Sequence, residues 1–139
     1  MIKQLVIRND SIYKKSKYRS QYVHDTLQNT EYVLCSSSAA EYLGLCNALI
    51  GDNEITVVTK QDCLMHHIDF DNIHGTLCTT VNQTINDLLA DKMMDEQVIM
   101  ESLAECYYKD NYASLNIQPS NKKTFDHFRP MAEEYYISD

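Results

Sequence analysis

At 139 residues, with 44% hydrophobic and 23% charged side chains and a net charge of −8, the chain has the size and composition of one globular domain spanning 1–139, not those of a disordered polymer. Three Gly and two Pro are too few for the many tight turns of an all-β sandwich or barrel, and no apolar run approaches the roughly eighteen residues of a membrane span. The negative balance also argues against the body of the domain as a non-specific nucleic-acid binder, which needs a clustered basic surface.

Residues 2–8, with Ile2, Leu5, Val6 and Ile7, predict a short strand that ends at the turn-prone Asn9-Asp10-Ser11. This charged opening differs from the apolar core of a signal peptide, so the chain is expected to be cytoplasmic. From residue 11 or 12 to about 28, Tyr18, Tyr22, Val23, Thr26 and Leu27 recur at helical spacing and predict one basic amphipathic helix. Residues 1–24 hold six Lys or Arg against Asp10 alone, a local excess whose field can steer a charged partner. Next comes the apolar run Tyr32-Val33-Leu34-Cys35, then Ser36-Ser37-Ser38 and a helix of about two turns. Ser38 offers an N-cap oxygen, Glu41 follows three residues later as in a capping box, and Gly44 closes the far end.

Residues 54–60 are β-branched at nearly every position and predict the clearest strand. Residues 66–70 and 74–79 flank an Asp71-Asn72 turn signal and predict two consecutive antiparallel strands. Beyond Thr80 the period changes: Ile85, Leu88, Leu89 and Met93 share one helical face, and Ile99, Leu103, Cys106 and Tyr107 share the next, with residues 91–95 between them. A polar stretch at 116–123 leads to the last helical pattern, Phe125, Phe128, Ala132, Tyr135 and Tyr136, which Pro130 is expected to kink or restart. The chain therefore reads as α+β, a small and mainly antiparallel sheet of about four strands packed by about four to five helices.

The residues that could carry chemistry do not form a recognisable reaction centre. His66, His67, Asp69, Asp71 and His74 are dense in metal-ligand types, yet on a strand only His67, Asp69 and Asp71 share a face, and the segment reads as a polar strand edge. The three serines at 36–38 sit on a strand-to-helix turn without the glycines of a nucleophile elbow. No Gly-rich phosphate loop occurs. Cys35, Cys46, Cys63, Cys78 and Cys106 are scattered without a CxxC pair and read as reduced core filler. Ten tyrosines and no tryptophan are the compositional oddity. In the pairs Tyr107-Tyr108 and Tyr135-Tyr136 a helix turns neighbours about 100° apart, so one ring can enter the core while the other offers an interface anchor.

The order of three segments resembles the C-terminal domain of the abortive-infection, AbiEi-type, antitoxins of bacterial type IV toxin-antitoxin systems. Residues 32–45 are similar to that family's strand, serine, small-residue and Leu-Gly-Leu stretch; residues 54–59 are similar to its following strand; residues 75–89 are similar to its strand and Arg-Thr-hydrophobic-x-Asp-Leu-Leu helix start. The likeness covers about residues 30–110 and rests on structural motifs. Two departures matter: the chain leaves no room for the family's N-terminal winged helix, which puts operator binding in doubt, and Gln83 stands where the family has arginine, so that arginine's ion pair is missing. The resemblance implies a stand-alone antitoxin-like or phage-defence module whose partner is a nucleotidyltransferase-like toxin or another regulatory protein.

The sequence thus leads to a non-enzymatic regulatory or binding module without metal or cofactor. Lys14, Lys15, Lys17 and Arg19, with Tyr108 and Tyr136, are the candidate partner-binding residues. The alternative is a nucleic-acid-binding transcriptional regulator that uses the same basic N-terminal segment.

Overall fold

β-Branched residues at 55–59 and short apolar runs around them pleat into one sheet, because alternate side chains can then be buried on opposite faces. The computed structural model describes residues 2–28, 30–47 and 52–136. Its five strands are β1 (Leu5–Ile7), β2 (Tyr32–Leu34), β3 (Ile55–Thr59), β4 (Phe70–Ile73) and β5 (Thr76–Thr79), in the order β1-β3-β2-β5-β4. β3 runs antiparallel to β1 and β2, β4 runs antiparallel to β5, and β2 and β5 are parallel through Leu34 and Cys78. The sheet is therefore mixed, and one strand richer than the patterning suggested.

Among the described residues the helices are α1 (Asp10–Lys15), α2 (Arg19–Leu27), α3 (Ser36–Tyr42), α4 (Lys60–Met65), α5 (Val81–Ala90), α6 (Glu96–Asp110) and α7 (Lys122–Glu134), the last entered through a 3-10 turn at Pro119–Asn121. On one sheet face Leu34, Ile55, Val57 and Cys78 meet Tyr22, Val23 and Leu27 of α2 and Ala39 of α3. On the other, Val33, Cys35 and Val58 are covered only by Cys63 of the six-residue α4 and by partly buried neighbours such as Ile68. The largest cluster is helical: Ala40, Ile85, Leu88, Leu103, Phe125 and Phe128 join α3, α5, α6 and α7.

Local departures from the sequence expectation have physical causes. The single basic helix is split, because Ser16 leaves α1 in an extended conformation and its hydroxyl donates back to the Ile12 carbonyl at 2.7 Å. Serine offers the backbone this local alternative to a helical bond, and Lys17 within the break brings no apolar anchor. The expected strand at 54–60 ends at Thr59, whose hydroxyl accepts from the Asp62 amide at 3.1 Å and starts α4 directly. His66 is consequently the C-cap of α4 and His67 a left-handed residue at φ 56, so the expected 66–70 strand begins only at Phe70. The hairpin turns at His74-Gly75, both at positive φ between the paired Ile73 and Thr76, and not at Asp71-Asn72; Asn72 instead closes the turn by accepting from the Gly75 amide at 2.8 Å. Finally, α7 carries Pro130 in its interior instead of restarting there; both Pro130 and Asp126 are exposed, which leaves the unmatched carbonyl to water.

The capping box expected at Ser38 and Glu41 is not formed either. α3 begins at Ser36 with Cys35 as its N-cap and no side-chain cap, while Ser38 and Glu41 are both spent on tertiary contacts. Ser38 accepts the Thr56 amide at 2.9 Å, and Glu41 pairs with Arg19. Gly44 does close the helix, at φ 79, with the Leu45 amide donating to the Ala40 carbonyl at 2.8 Å.

Candidate functional site

The break between α1 and α2 makes a concave corner. Its groove, of about 440 Å³, is lined by Tyr13, Lys14, Ser16, Lys17, Tyr18 and Arg19 over the Tyr22 ring. Tyr22 is fully buried and forms the floor, with the Tyr13 ring packed edge-on at 5.0 Å. The Tyr22 hydroxyl donates to the Asn53 carbonyl and accepts the Asn9 amide at 3.1 Å, fixing the start of α1 to the segment before β3.

Arg19 fixes the other side. Its Nε donates to Glu41 Oε1 at 2.6 Å, both side chains being about nine-tenths buried, and its two other nitrogens donate to the Asp52 carbonyl and, at 2.7 Å, to the Glu54 carbonyl. One planar guanidinium thus joins α2, α3 and the approach to β3. Its charge is directed inward.

Of the residues named from sequence, Lys14, Lys17 and Arg19 therefore share the groove, and Lys15 is exposed outside its lining. Tyr18, placed by periodicity on the apolar face of a continuous helix, is 71% exposed at the rim because the helix is interrupted there. Only knowledge of that break would have identified it.

Tyr108 and Tyr136 meet each other at a second place. Their rings lie edge-to-face at 4.6 Å, and the Tyr136 hydroxyl donates to Glu105 Oε2 at 2.7 Å. That hydrogen bond pushes the phenol up to about 12. Their sequence neighbours turn inward as the helical spacing requires: Tyr107 stacks on Tyr112 at 5.3 Å and Tyr135 packs against the helical core.

The remaining chemistry-bearing residues are dispersed. His66 and His67 lie beyond α4 and His74 at the hairpin tip, and among the described residues no three of His, Cys, Asp and Glu gather as a metal site. Ser36 takes φ 56 at the strand-to-helix junction, but it is 2% exposed and its hydroxyl has no partner acting as a base among the described residues. All five cysteines are buried, and burial raises the pKa of Cys35, Cys63, Cys78 and Cys106, which keeps those thiols protonated. No family model, curated protein or solved structure matches the chain. No described helix is long and apolar enough to cross a membrane.

Gln83, at the position of the expected arginine, donates to Asp87 Oδ1 at 2.9 Å and accepts the Asp69 amide at 3.1 Å. Asp87 thus has a neutral amide beside it and no ion pair among the described residues.

Proposed function

We propose that this chain is a non-enzymatic regulatory module, an antitoxin-like component of a bacterial or phage defence system, which works in the cytoplasm by binding a protein partner. The observation that carries this reading is the α1–α2 groove: two lysines and an exposed tyrosine stand over a rigid, buried tyrosine floor. Such a surface offers area at low entropic cost together with charge that steers encounter. Its complement is an acidic, partly aromatic or aliphatic surface, and a nucleotidyltransferase-like toxin is the partner class.

The antitoxin-like assignment is supported by the three segments that carry the resemblance. β2–α3, β3 and β5–α5 lie side by side, with β2 between β3 and β5 and α3 packed on α5 through Ala40, Ile85 and Leu88. Co-expression with the protein encoded beside this chain tests the reading. The double variant K14E/K17E is expected to lose co-purification while its melting temperature stays that of the wild type, since neither lysine is buried. Undiminished co-purification would reject the groove.

The clustering of Lys14, Lys15, Lys17 and exposed Tyr18 favours nucleic acid as the second reading. With Arg19 turned inward, three phosphate contacts give a log–log salt slope of only about −3. Absence of any shift with duplex DNA or RNA at low salt would dismiss it.

A further inference from the structure

The sheet face on which α4 packs is incompletely filled. A cleft of about 610 Å³ remains there, bounded by Ile2, Cys35, Val58, Ile68, Asp87 and Asp91, a volume in the range of small-molecule sites. It is separate from the α1–α2 groove and does not depend on the function proposed above. Apart from the neutral Gln4 and Thr79, its walls are of two main kinds. Ile2, Val58 and Ile68 form an aliphatic side, part of the small cluster around Cys35 and Cys63, and Asp87 and Asp91 form an acidic one at the end of α5.

Among the described residues, every charged side chain on the cleft wall has the same sign. The lining contains no Lys, Arg or His, and neither Asp87 nor Asp91 forms an ion pair among the described residues. The C-terminal end of α5 adds its negative dipole, and its last turn carries no basic residue to offset it. Asp87 Oδ1 is occupied by the pinned Gln83 amide, while Oδ2 takes no hydrogen bond among the described residues. Asp91 Oδ1 accepts the Met93 amide at 2.9 Å just beyond the helix end. Desolvation pushes the Asp87 carboxyl up to about 6, the expected state of a carboxylate whose counter-ion is not supplied by the fold. The Cys35 thiol, 2% exposed and without a hydrogen-bond partner among the described residues, faces the same space as a neutral, soft wall.

We propose that this cleft binds a small organic cation, its guanidinium or ammonium group on Asp87 and its short alkyl chain along Ile2, Val58 and Ile68. A charge-assisted hydrogen bond to the open carboxylate oxygen completes what Gln83 leaves undone, and the aliphatic wall selects an organic cation over a bare hydrated ion. An anion is disfavoured by both aspartates and by the helix end.

Methyl-detected NMR titration with n-butylguanidinium, using n-butylurea as the neutral isostere, tests the site. Saturable shifts at the Val58 and Ile68 methyls are expected, with affinity at least tenfold weaker for the urea and at least tenfold weaker in D87N. Equal binding of the urea, undiminished binding to folded D87N, or no saturable shift would overturn the proposal. Q83R provides the second arm, because it tethers a guanidinium one helical turn from Asp87. It is expected to fold and to lose butylguanidinium binding by tenfold or more. Wild-type affinity in Q83R would also overturn the site, and this arm decides if D87N does not fold.

Discussion

Replacing Asp87 by asparagine should stabilise the protein, and only in a defined pH window. The Asp87 carboxyl is raised from 3.8 to about 6 by burial, against the smaller downward pull of the Gln83 hydrogen bond. In that interval the folded chain binds the proton more tightly than the unfolded one. Stability therefore falls as pH rises from about 4 to about 6, and the penalty is fully present at pH 7.5. Two pKa units correspond to about 3 kcal/mol. The asparagine amide would keep the Oδ1 acceptor for Gln83 and remove the desolvated charge, so D87N is expected to be about 2–3 kcal/mol more stable than wild type at pH 7.5 and nearly equal to it at pH 4. Urea denaturation followed by far-ultraviolet circular dichroism at the two pH values measures the difference directly. A D87N variant that is less stable at pH 7.5, or equally stabilised at both pH values, would refute the reasoning.

Three further outcomes follow from buried contacts. R19M should lose about 3–5 kcal/mol in urea denaturation, because Glu41 would be left charged and buried with its Oε2 already lacking a partner; a loss under about 1 kcal/mol contradicts the role given to the pair. N86L should lose about 2–3 kcal/mol. Asn86 is 3% exposed and accepts from the Gln118 amide at 2.9 Å and from Asn121 Nδ2 at 3.0 Å while donating to the Asn116 carbonyl at 3.1 Å, so an unchanged midpoint would count against this seam. Thiol labelling at pH 8 should modify none of the five buried cysteines in the native protein and all of them after unfolding, since burial holds Cys63 and Cys106 at about 11 and Cys78 at about 12; rapid native labelling of any one would refute it.

What was legible in the sequence was most of what repeats with a period. The stripe Ile85, Leu88, Leu89 and the stripe Ile99, Leu103, Cys106 are buried as their spacing requires, and the alternation across 55–58 does divide between the two sheet faces; Met93, expected on the first stripe, instead lies past the end of α5 and is 91% exposed. Junctions were not legible. Thr59 ends a strand and caps a helix in the same residue, leaving no linker to mark α4. His74-Gly75 turns because Asn72 reaches across to close it, although Asp71-Asn72 carries the stronger local turn signature. The site residues divide in the same way. Lysines 14 and 17 could be named from charge alone, whereas the inward direction of Arg19 depends on Glu41, twenty-two residues away, and the exposure of Tyr18 depends on a helix break three residues long. The neutral Gln83 four residues before Asp87 was visible in the sequence; the cleft beside Asp87 requires Ile2, Val58 and Ile68 to converge from three distant segments.

The α1–α2 corner is the proposed docking site for a protein partner. Hydrogen-exchange mass spectrometry of the chain alone and in complex with any protein partner recovered by co-purification tests it most directly. New protection is expected in residues 13–22, lost together with the complex in K14E/K17E. Protection confined to α6 and α7, with residues 13–22 exchanging as in the free chain, would contradict it.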